Sequence, residues 1–191
     1  QRGVNMITRF GALYAGSVDL DNLGLTGTPV NERRLSDHEL ATVFDKAADI
    51  AKTMDSVGFD TLWLAEHHFQ REGDECIPNI LMLAVYLSQI TPSIDFGCGF
   101  NISPIWHPLK LAEDFATADI LTKGRVIFGV GRGYHTREVE MFGSPLLDTN
   151  ANRELFEEQI EVILKALTER EFTHRGKHYN IPPMILYRGY E

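Results

Sequence analysis

The chain has 191 residues, of which 43% are apolar and 24% are charged, as in an ordinary globular protein with one hydrophobic core. Its formal net charge of −9 disfavours nucleic acid and anionic membranes as partners, because both require a basic face. No apolar run approaches the roughly 18 residues that span a bilayer. Cys76 and Cys98 are the two cysteines, and they lack the spacing of a metal site, so we expect a cytoplasmic protein.

The first half of the chain predicts two strands separated by a long loop and a helix. Residues 10–14 form an apolar run that predicts a strand, and residues 15–35 predict a loop long enough to serve as a lid. Ser36 and Glu39 have the spacing of a capping box, so a helix is expected to begin there and to end at Gly58. Residues 61–64 then predict the second strand.

The rest of the chain continues this alternation. Pro78 is expected to open a second helix. The further predicted elements are a strand at 94–100, a helix at 108–121, a strand at 125–130, a short helix at 135–142 and a longer helix at 152–168. Right-handed crossovers between such strands require a parallel sheet.

An α/β fold with this order has two possible architectures, a doubly wound sheet or the first half of an eight-stranded barrel. Four strands cannot close a cylinder, and a complete barrel has about 250 residues. The chain begins with Gln1 and predicts no closing helix after residue 182. We therefore expect a single partial domain over residues 1–191 that belongs to a longer protein.

The second predicted strand ends in Glu66, His67 and His68. Parallel sheets place their chemistry at the carboxyl ends of their strands, where a histidine can exchange a proton near neutral pH. Adjacent strand residues point to opposite faces, so the two imidazoles are not expected to line one pocket. A core histidine bonded to a backbone carbonyl is the structural alternative. Three consecutive residues do not give the tetrahedral reach of a zinc site, so we expect no metal.

A glycine-rich segment follows the fourth predicted strand, with the sequence G-V-G-R-G-Y-H at residues 129–135. Glycines allow a ligand to approach the backbone, and Arg132 between them can hold a phosphate or carboxylate. Tyr134 stands where a dinucleotide fingerprint requires its third glycine, which excludes that motif. A tight turn with a solvated arginine is the alternative.

The third predicted strand runs into a helix through N-I-S-P-I-W-H-P at residues 101–108. Pro108 is suited to the first turn of that helix, and His107 precedes it. His107 therefore either lies at a ligand site or partly caps the helix. Polar or aromatic groups follow three of the strands, which together predict a pocket for an aromatic, anionic ligand.

These segments, in this order, resemble the bacterial luciferase-like monooxygenase family. The resemblance rests on G-F-D-T-L-W-L-A-E-H-H-F at residues 58–69, on His107-Pro108 followed by A-E-D at 112–114, and on K-G-R at 123–125, which leads through F-G-V-G-R-G at 128–133 to F-G at 142–143. The Glu-His-His-Phe and Gly-x-Gly-Arg-Gly segments are fairly specific to the family when they occur together.

The resemblance implies a (β/α)8 barrel, of which this chain would contain the first four to five βα units. It also implies an enzyme that uses reduced flavin mononucleotide (FMN), supplied by a separate reductase, to activate O2 against a small organic substrate. His67 would lie beside the flavin ring and assist proton transfer, supported by Glu66 and His68. The residues implied in cofactor binding are Gly99, Phe100, Asn101, His107, Gly131, Arg132 and His135. Arg132 would meet the flavin phosphate.

Three further expectations follow from the resemblance. Some members have a non-prolyl cis peptide in the third strand, where this sequence has Gly99-Phe100. The luciferases proper have a cysteine where this chain has Gly131, which favours an enzyme that emits no light. Family members are often dimers, so a homodimer is expected for the full-length protein. The alternatives are a deazaflavin-dependent oxidoreductase of the same barrel family and a flavin-binding protein without catalysis.

Overall fold

The computed structural model describes residues 7–21, 27–145 and 148–182. The helices are α1 (Asp37–Ser56), α2 (Ile80–Ser88), α3 (Pro108–Thr122), α4 (Thr136–Met141) and α5 (Thr149–Thr168). The strands are β1 (Gly11–Tyr14), β2 (Thr61–Leu64), β3 (Asp95–Cys98), β4 (Asn101–Ile102), β5 (Val126–Ile127), β6 (Val130–Gly131), β7 (His174–Arg175) and β8 (Asn180–Ile181). Short 3₁₀ turns occupy Val30–Glu32 and Ser103–Ile105.

The described residues divide into two compact units. Unit 1 comprises the described parts of Gln1–Asn101 and Thr117–Gly131, and unit 2 comprises the described parts of Ile102–Ala116 and Arg132–Glu191. The single domain expected over residues 1–191 stays a prediction.

Unit 1 is built on a parallel sheet with the strand order β1-β2-β3-β5. The predicted parallel α/β sheet is therefore confirmed. Along this sheet the four strands follow one another in chain order, with a helix in each crossover. A doubly wound sheet reverses its strand order at a switch point, whereas a barrel wall adds strands in sequence. The observed order is that of a barrel wall.

The two faces of this sheet differ in burial. Leu62, Leu64 and Phe96 are at most 1% exposed and form the core beneath the helices. The opposite face carries Leu13 and Trp63 in register, and Leu13 is 63% exposed. An open section of barrel wall presents its inward face in this way.

Glycines make room for the indole of Trp63 on that face. A Cβ on Gly97, the register partner of Trp63 on β3, would lie 2.2 Å from the indole Cε3. A Cβ on Gly11 would lie 3.0 Å from the indole Nε1. The indole therefore lies flat across neighbouring strands, a packing that only glycine permits at these two positions.

The helix expected after the long loop is α1, and its capping box is confirmed. The Ser36 backbone N–H donates to Glu39 Oε2 at 2.8 Å, and the Ser36 side chain accepts from the Glu39 N–H. The helix ends before Gly58, whose φ of +83° suits glycine. Its apolar stripe of Val43, Ala47 and Ala51 is fully buried.

The bounds of four predicted elements differ appreciably from the structure. Pro78 does not open α2, because Asn79 is its N-cap and accepts from the Met82 N–H at 2.9 Å. The strands expected at 94–100 and 125–130 are each shorter and are followed by separate two-residue strands. Helix α5 begins at Thr149 rather than at residue 152, because Asp148 caps it.

Arg125 explains one segment that carried the family resemblance. Its guanidinium donates to the carbonyl oxygens of Ser88 at 2.5 Å, Thr91 at 3.0 Å and Ile94 at 3.2 Å. Ser88 is the last residue of α2, and Thr91 and Ile94 lie in the connection from α2 to β3. The arginine immediately before β5 thus fixes the connection that feeds its neighbour in the sheet.

Unit 2 is organised around α5 and a β7–β8 hairpin that the sequence did not predict. Gln159 is fully buried; it accepts from Ser103 Oγ at 2.9 Å and donates to the Trp106 carbonyl at 3.0 Å. The Glu158 carboxylate accepts backbone N–H bonds from His178 and Tyr179. The side chains of Gln159 and Glu158 therefore supply hydrogen-bond partners to polar groups that are not paired within a helix or a strand ladder.

No helix in the described ranges has both the length and the apolar content needed to cross a bilayer.

Candidate active site

Glu66 and His68 form a buried pair just beyond the end of β2. Glu66 is 1% exposed, and its Oε1 lies 3.1 Å from His68 Nε2. The strand has ended at Leu64, so the backbone is free to turn. A buried carboxylate is stable when it is paired, and here the partner is an imidazole two residues along the chain. This pair is consistent with a supporting role for both residues.

His67 turns to a different partner. Its side chain is 6% exposed, and its Nε2 lies 3.6 Å from Oε1 of Glu75. Its backbone N–H donates to the Ile77 carbonyl at 2.9 Å. Glu75 faces His67 and Glu66 pairs with His68, and both histidines lie beyond the strand itself. The expectation that the two imidazoles do not line one pocket stays a prediction.

The end of β3 carries the next group of predicted residues. The Gly99–Phe100 peptide is cis, as the family resemblance implied. The Gly99 N–H donates to the Leu64 carbonyl at 2.7 Å, which holds this segment beside the end of β2. Phe100 is 56% exposed, so a large aromatic surface is open at the edge of the sheet where the histidines lie.

Asn101 is 1% exposed, and both of its nitrogens donate hydrogen bonds to a backbone carbonyl. Its main-chain N–H and its Nδ2 donate to the Gly129 carbonyl at 2.9 and 3.1 Å. These bonds hold the segment after β5 against the segment after β3. A direct contact between Asn101 and a cofactor stays a prediction.

Glycines 129 and 131 permit this close approach. A Cβ on Gly129 would lie 2.1 Å from the Cys98 carbonyl oxygen, and a Cβ on Gly131 would lie 3.2 Å from Cβ of Phe100. A side chain at residue 129 would therefore displace backbone, whereas one at residue 131 would press on the Phe100 side chain. The missing side chain at residue 131 leaves the aromatic ring accessible beside the chain.

Two other groups at the strand ends are unsuited to proton transfer near neutral pH. Burial, with the nearby charges of Asp19 and Cys76, raises the pKa of Tyr14 to about 12, and its hydroxyl donates to the Val43 carbonyl at 3.0 Å. Burial raises the pKa of the Cys98 thiol to about 11, although hydrogen bonds with Asn101 and Gly129 oppose the rise. His67 is therefore the better candidate for proton exchange in unit 1.

The remaining predicted residues belong to unit 2. His107 is exposed and meets the Tyr179 ring edge-on, with ring centroids 5.3 Å apart. Arg132 is exposed, and His135 is half-buried with its ring 4.2 Å from that of Tyr134. Their roles in cofactor binding stay predictions.

Sequence reasoning missed Glu75, which faces His67 across a loop. The residue lies eight positions further along the chain, in a segment without strand or helix periodicity. Its φ of +56° is unusual for a residue with a side chain. No pattern in the sequence signals this contact, because it depends on how the loop folds back.

Unit 2 also contains a cavity of about 420 Å³. Its apolar lining comes from Leu109 and Ala112 of α3, Leu167 of α5 and Phe172. None of the predicted site residues lines it. The cavity is thus unrelated to the chemistry that the sequence predicts.

The sequence pattern of the luciferase-like monooxygenase family matches residues 26–188. The chain is 29% identical over 154 residues to the oxygenase component of a flavin-dependent trigonelline monooxygenase from Acinetobacter baylyi, a match that covers 80% of the chain and 42% of the relative. It is 32% identical over 136 residues to the alkanal monooxygenase alpha chain of Photorhabdus laumondii, covering 71% of the chain and 36% of the relative.

Solved structures share the fold. The oxygenating constituent of 3,6-diketocamphane monooxygenase from Pseudomonas putida, in complex with FMN, aligns with a TM-score of 0.74 at 24% identity over 92% of the chain and 43% of that structure. An F420-dependent secondary alcohol dehydrogenase aligns with a TM-score of 0.64 at 19% identity, over 95% of the chain and 49% of that structure.

The chain therefore spans less than half the length of these proteins. Its parallel strands in sequential order are part of the (β/α)8-barrel fold that the structural relatives share, so the predicted fold class is confirmed. The family pattern covers most of the sequence, including the Glu-His-His-Phe and Gly-x-Gly-Arg-Gly segments that carried the resemblance. The chain belongs to the luciferase-like monooxygenase family.

Proposed function

We propose that this chain contributes to a flavin-dependent monooxygenase that uses reduced FMN and O2 to oxidise a small organic substrate. The observation that carries the proposal is the imidazole of His67, held nearly buried at the carboxyl edge of a barrel-type sheet. The exposed aromatic ring of Phe100 follows the neighbouring strand, β3. A titratable group beside an accessible apolar surface suits a planar cofactor that gains and loses protons.

The residues present fit a flavin ring. Phe100 offers apolar surface, and Gly131 leaves that surface free of a second side chain. Gly99, Phe100, Asn101, His107, Gly131, Arg132 and His135 are the proposed cofactor-binding residues. Arg132 would hold the phosphate by charge-assisted hydrogen bonds. Reduced FMN, when bound, supplies the electrons that activate O2.

The catalytic work of the chain itself is proton transfer and support. His67 holds and returns a proton at an imidazole nitrogen, because its ordinary pKa lies near neutrality. Glu66 and His68 support the turn that presents it, since their 3.1 Å pairing ties together the residues on either side. The side chains of Glu66, His67 and His68 are at most 11% exposed, so little water reaches these three groups.

Two other functions are alternatives, and one of them has specific support. An F420-dependent dehydrogenase shares the fold, which supports a deazaflavin-dependent oxidoreductase that needs no oxygen. A flavin-binding protein without turnover would retain the aromatic surface and lose the need for His67.

The proposed partners follow from the same chemistry. One relative is named as an oxygenase component, which supports a separate reductase as the source of reduced FMN. The full-length protein is expected to form a homodimer and to bind neither nucleic acid nor membrane. A cytoplasmic location is proposed because Cys76 and Cys98 are both free thiols.

The test uses the protein at its natural length. It is supplied with reduced FMN from a reductase, with labelled dioxygen, and with a panel of aldehydes, ketones and sulfonates. Incorporation of one labelled oxygen atom into a substrate supports the proposal. Substrate oxidation only with oxidised deazaflavin, and without oxygen, supports the second function instead.

Two variants test the assigned roles. His67→Ala is expected to lower kcat by about 10²–10⁴-fold, as the loss of a general acid or base does. Unchanged turnover in His67→Ala would favour simple flavin binding. Arg132→Ala is expected to weaken FMN binding by about 1.5–3 kcal/mol, as the loss of a charged hydrogen bond does. Equal affinity in a binding titration would remove Arg132 from the site.

A further inference from the structure

His67 faces a carboxylate that belongs to the loop between β2 and α2. Glu75 Oε1 lies 3.6 Å from His67 Nε2, and the two side chains are 29% and 6% exposed. That separation is within ion-pair reach and somewhat longer than a hydrogen bond. Hydrogen bonds of catalytic groups are often long in a free protein and tighten when the ligand binds. The pair is therefore placed to form such a bond after a small side-chain rotation.

The loop that carries Glu75 is fixed by backbone hydrogen bonds on both sides. The Ile77 carbonyl accepts from the His67 N–H at 2.9 Å, and the Cys76 N–H donates to the Gly16 carbonyl at 3.0 Å. The Val18 N–H donates to the Gly73 carbonyl at 2.8 Å. Glu75 thus lies between Gly73 and Cys76, which are both anchored by backbone hydrogen bonds, and these bonds restrict its position relative to His67.

The carboxylate of Glu66 does not serve this purpose, because it pairs with His68. Glu75 supplies a second carboxylate in unit 1, and this one faces the imidazole to which the proposed chemistry is assigned. A carboxylate beside an imidazole favours the charged ring, and in the neutral ring it favours the tautomer with hydrogen on the nearer nitrogen.

We propose that Glu75 is a positioning residue that orients the His67 imidazole and keeps a proton on its Nε2. The imidazole oriented in this way is then presented for proton transfer during turnover. This inference rests on the proposed function for its catalytic consequence, whereas the pairing itself is independent of any cofactor.

The first experiment follows the titration of His67 by NMR in the flavin-free protein at its natural length, with His67→Ala used to assign the signal. A neighbouring carboxylate stabilises the protonated ring, so Glu75→Gln is expected to lower the titration midpoint by about half a pH unit. Asp74→Asn is the matched control. It removes an acid from the same loop and disturbs the bond from Ser17 Oγ to Asp74, yet it leaves Glu75 in place.

The second experiment measures turnover with reduced FMN and O2. Glu75→Gln is expected to lower kcat at least tenfold and to leave the dissociation constant for FMN within twofold, while Asp74→Asn stays close to the wild type. Glu75→Asp, which keeps the charge on a shorter side chain, is expected to restore part of both the midpoint and kcat. It also provides the comparison if Glu75→Gln folds poorly.

The outcomes separate the two proposals. A wild-type protein that oxygenates substrate, together with a Glu75→Gln variant of unchanged midpoint or unchanged kcat, overturns the role of Glu75 alone. A shifted midpoint in a protein that does not oxygenate any substrate supports the pairing and overturns the monooxygenase. Equal shifts in Glu75→Gln and Asp74→Asn would mean that the loop acts only as scaffold, and the inference is then wrong.

Discussion

The contact between Gly129 and Cys98 offers a quantitative test of the geometry at the edge of the sheet. In Gly129→Ala the new Cβ would lie 2.1 Å from the Cys98 carbonyl oxygen, far inside the 3.4 Å at which ordinary contact begins. Backbone must move, and the two bonds from Asn101 to the Gly129 carbonyl move with it. Overpacking costs about 2 kcal/mol and each lost bond about 1 kcal/mol, so we expect a loss of about 4 kcal/mol.

The assay is urea-induced unfolding followed by circular dichroism, with Gly124→Ala as the control. A Cβ on Gly124 has open space, and only its φ of +82° opposes alanine, which costs about 1–2 kcal/mol. The reasoning is refuted if Gly129→Ala is no less stable than Gly124→Ala, because the strand ends would then not meet as closely as described.

Two further predictions concern titratable groups. Desolvation raises the pKa of Glu158, but hydrogen bonds from His178, Tyr179 and His174 outweigh it, so the pKa lies below its ordinary value of 4.5. Such a carboxylate stabilises the fold at pH values above 4.5 and loses this effect as the pH falls through the lowered pKa. Glu158→Gln should therefore lower the free energy of unfolding by about 1–3 kcal/mol at pH ~7 and by progressively less below pH ~4.5, as measured by urea titrations. Burial raises the pKa values of Cys76 and Cys98 to about 11. Both thiols should therefore react slowly with a disulfide reagent at pH ~8 and rapidly in denaturant, and fast labelling of the folded protein would contradict this environment.

The sequence predicts the long elements of this fold because their signals are local. The capping box at Ser36 and the apolar stripe of α1 depend on residues only three or four positions apart. The β7–β8 hairpin escapes prediction because each strand has only two residues. Its stability comes from Glu158 on a preceding helix, a contact that no short window of sequence contains.

The candidate site likewise contains residues that the sequence predicts and contacts that it does not. The candidate residues Glu66, His67 and His68 are adjacent in sequence and follow a predictable strand, so the sequence alone indicates them. Their partners are less accessible to prediction. Glu66 pairs with His68, whereas His67 faces Glu75. The position of Glu75 depends on a loop that is held by two backbone hydrogen bonds, one between Cys76 and Gly16 and one between Val18 and Gly73.

The chain has two tryptophans, and they fall in different compact units. Trp63 lies across the glycines of the sheet in unit 1, and Trp106 lies in unit 2, where its carbonyl accepts from Gln159. Replacing either indole with phenylalanine therefore leaves a single tryptophan, and its emission, excited at a wavelength that tyrosine does not absorb, reports on one unit. Emission spectra of the two variants during denaturation would reveal whether the halves of this molecule melt together or in turn.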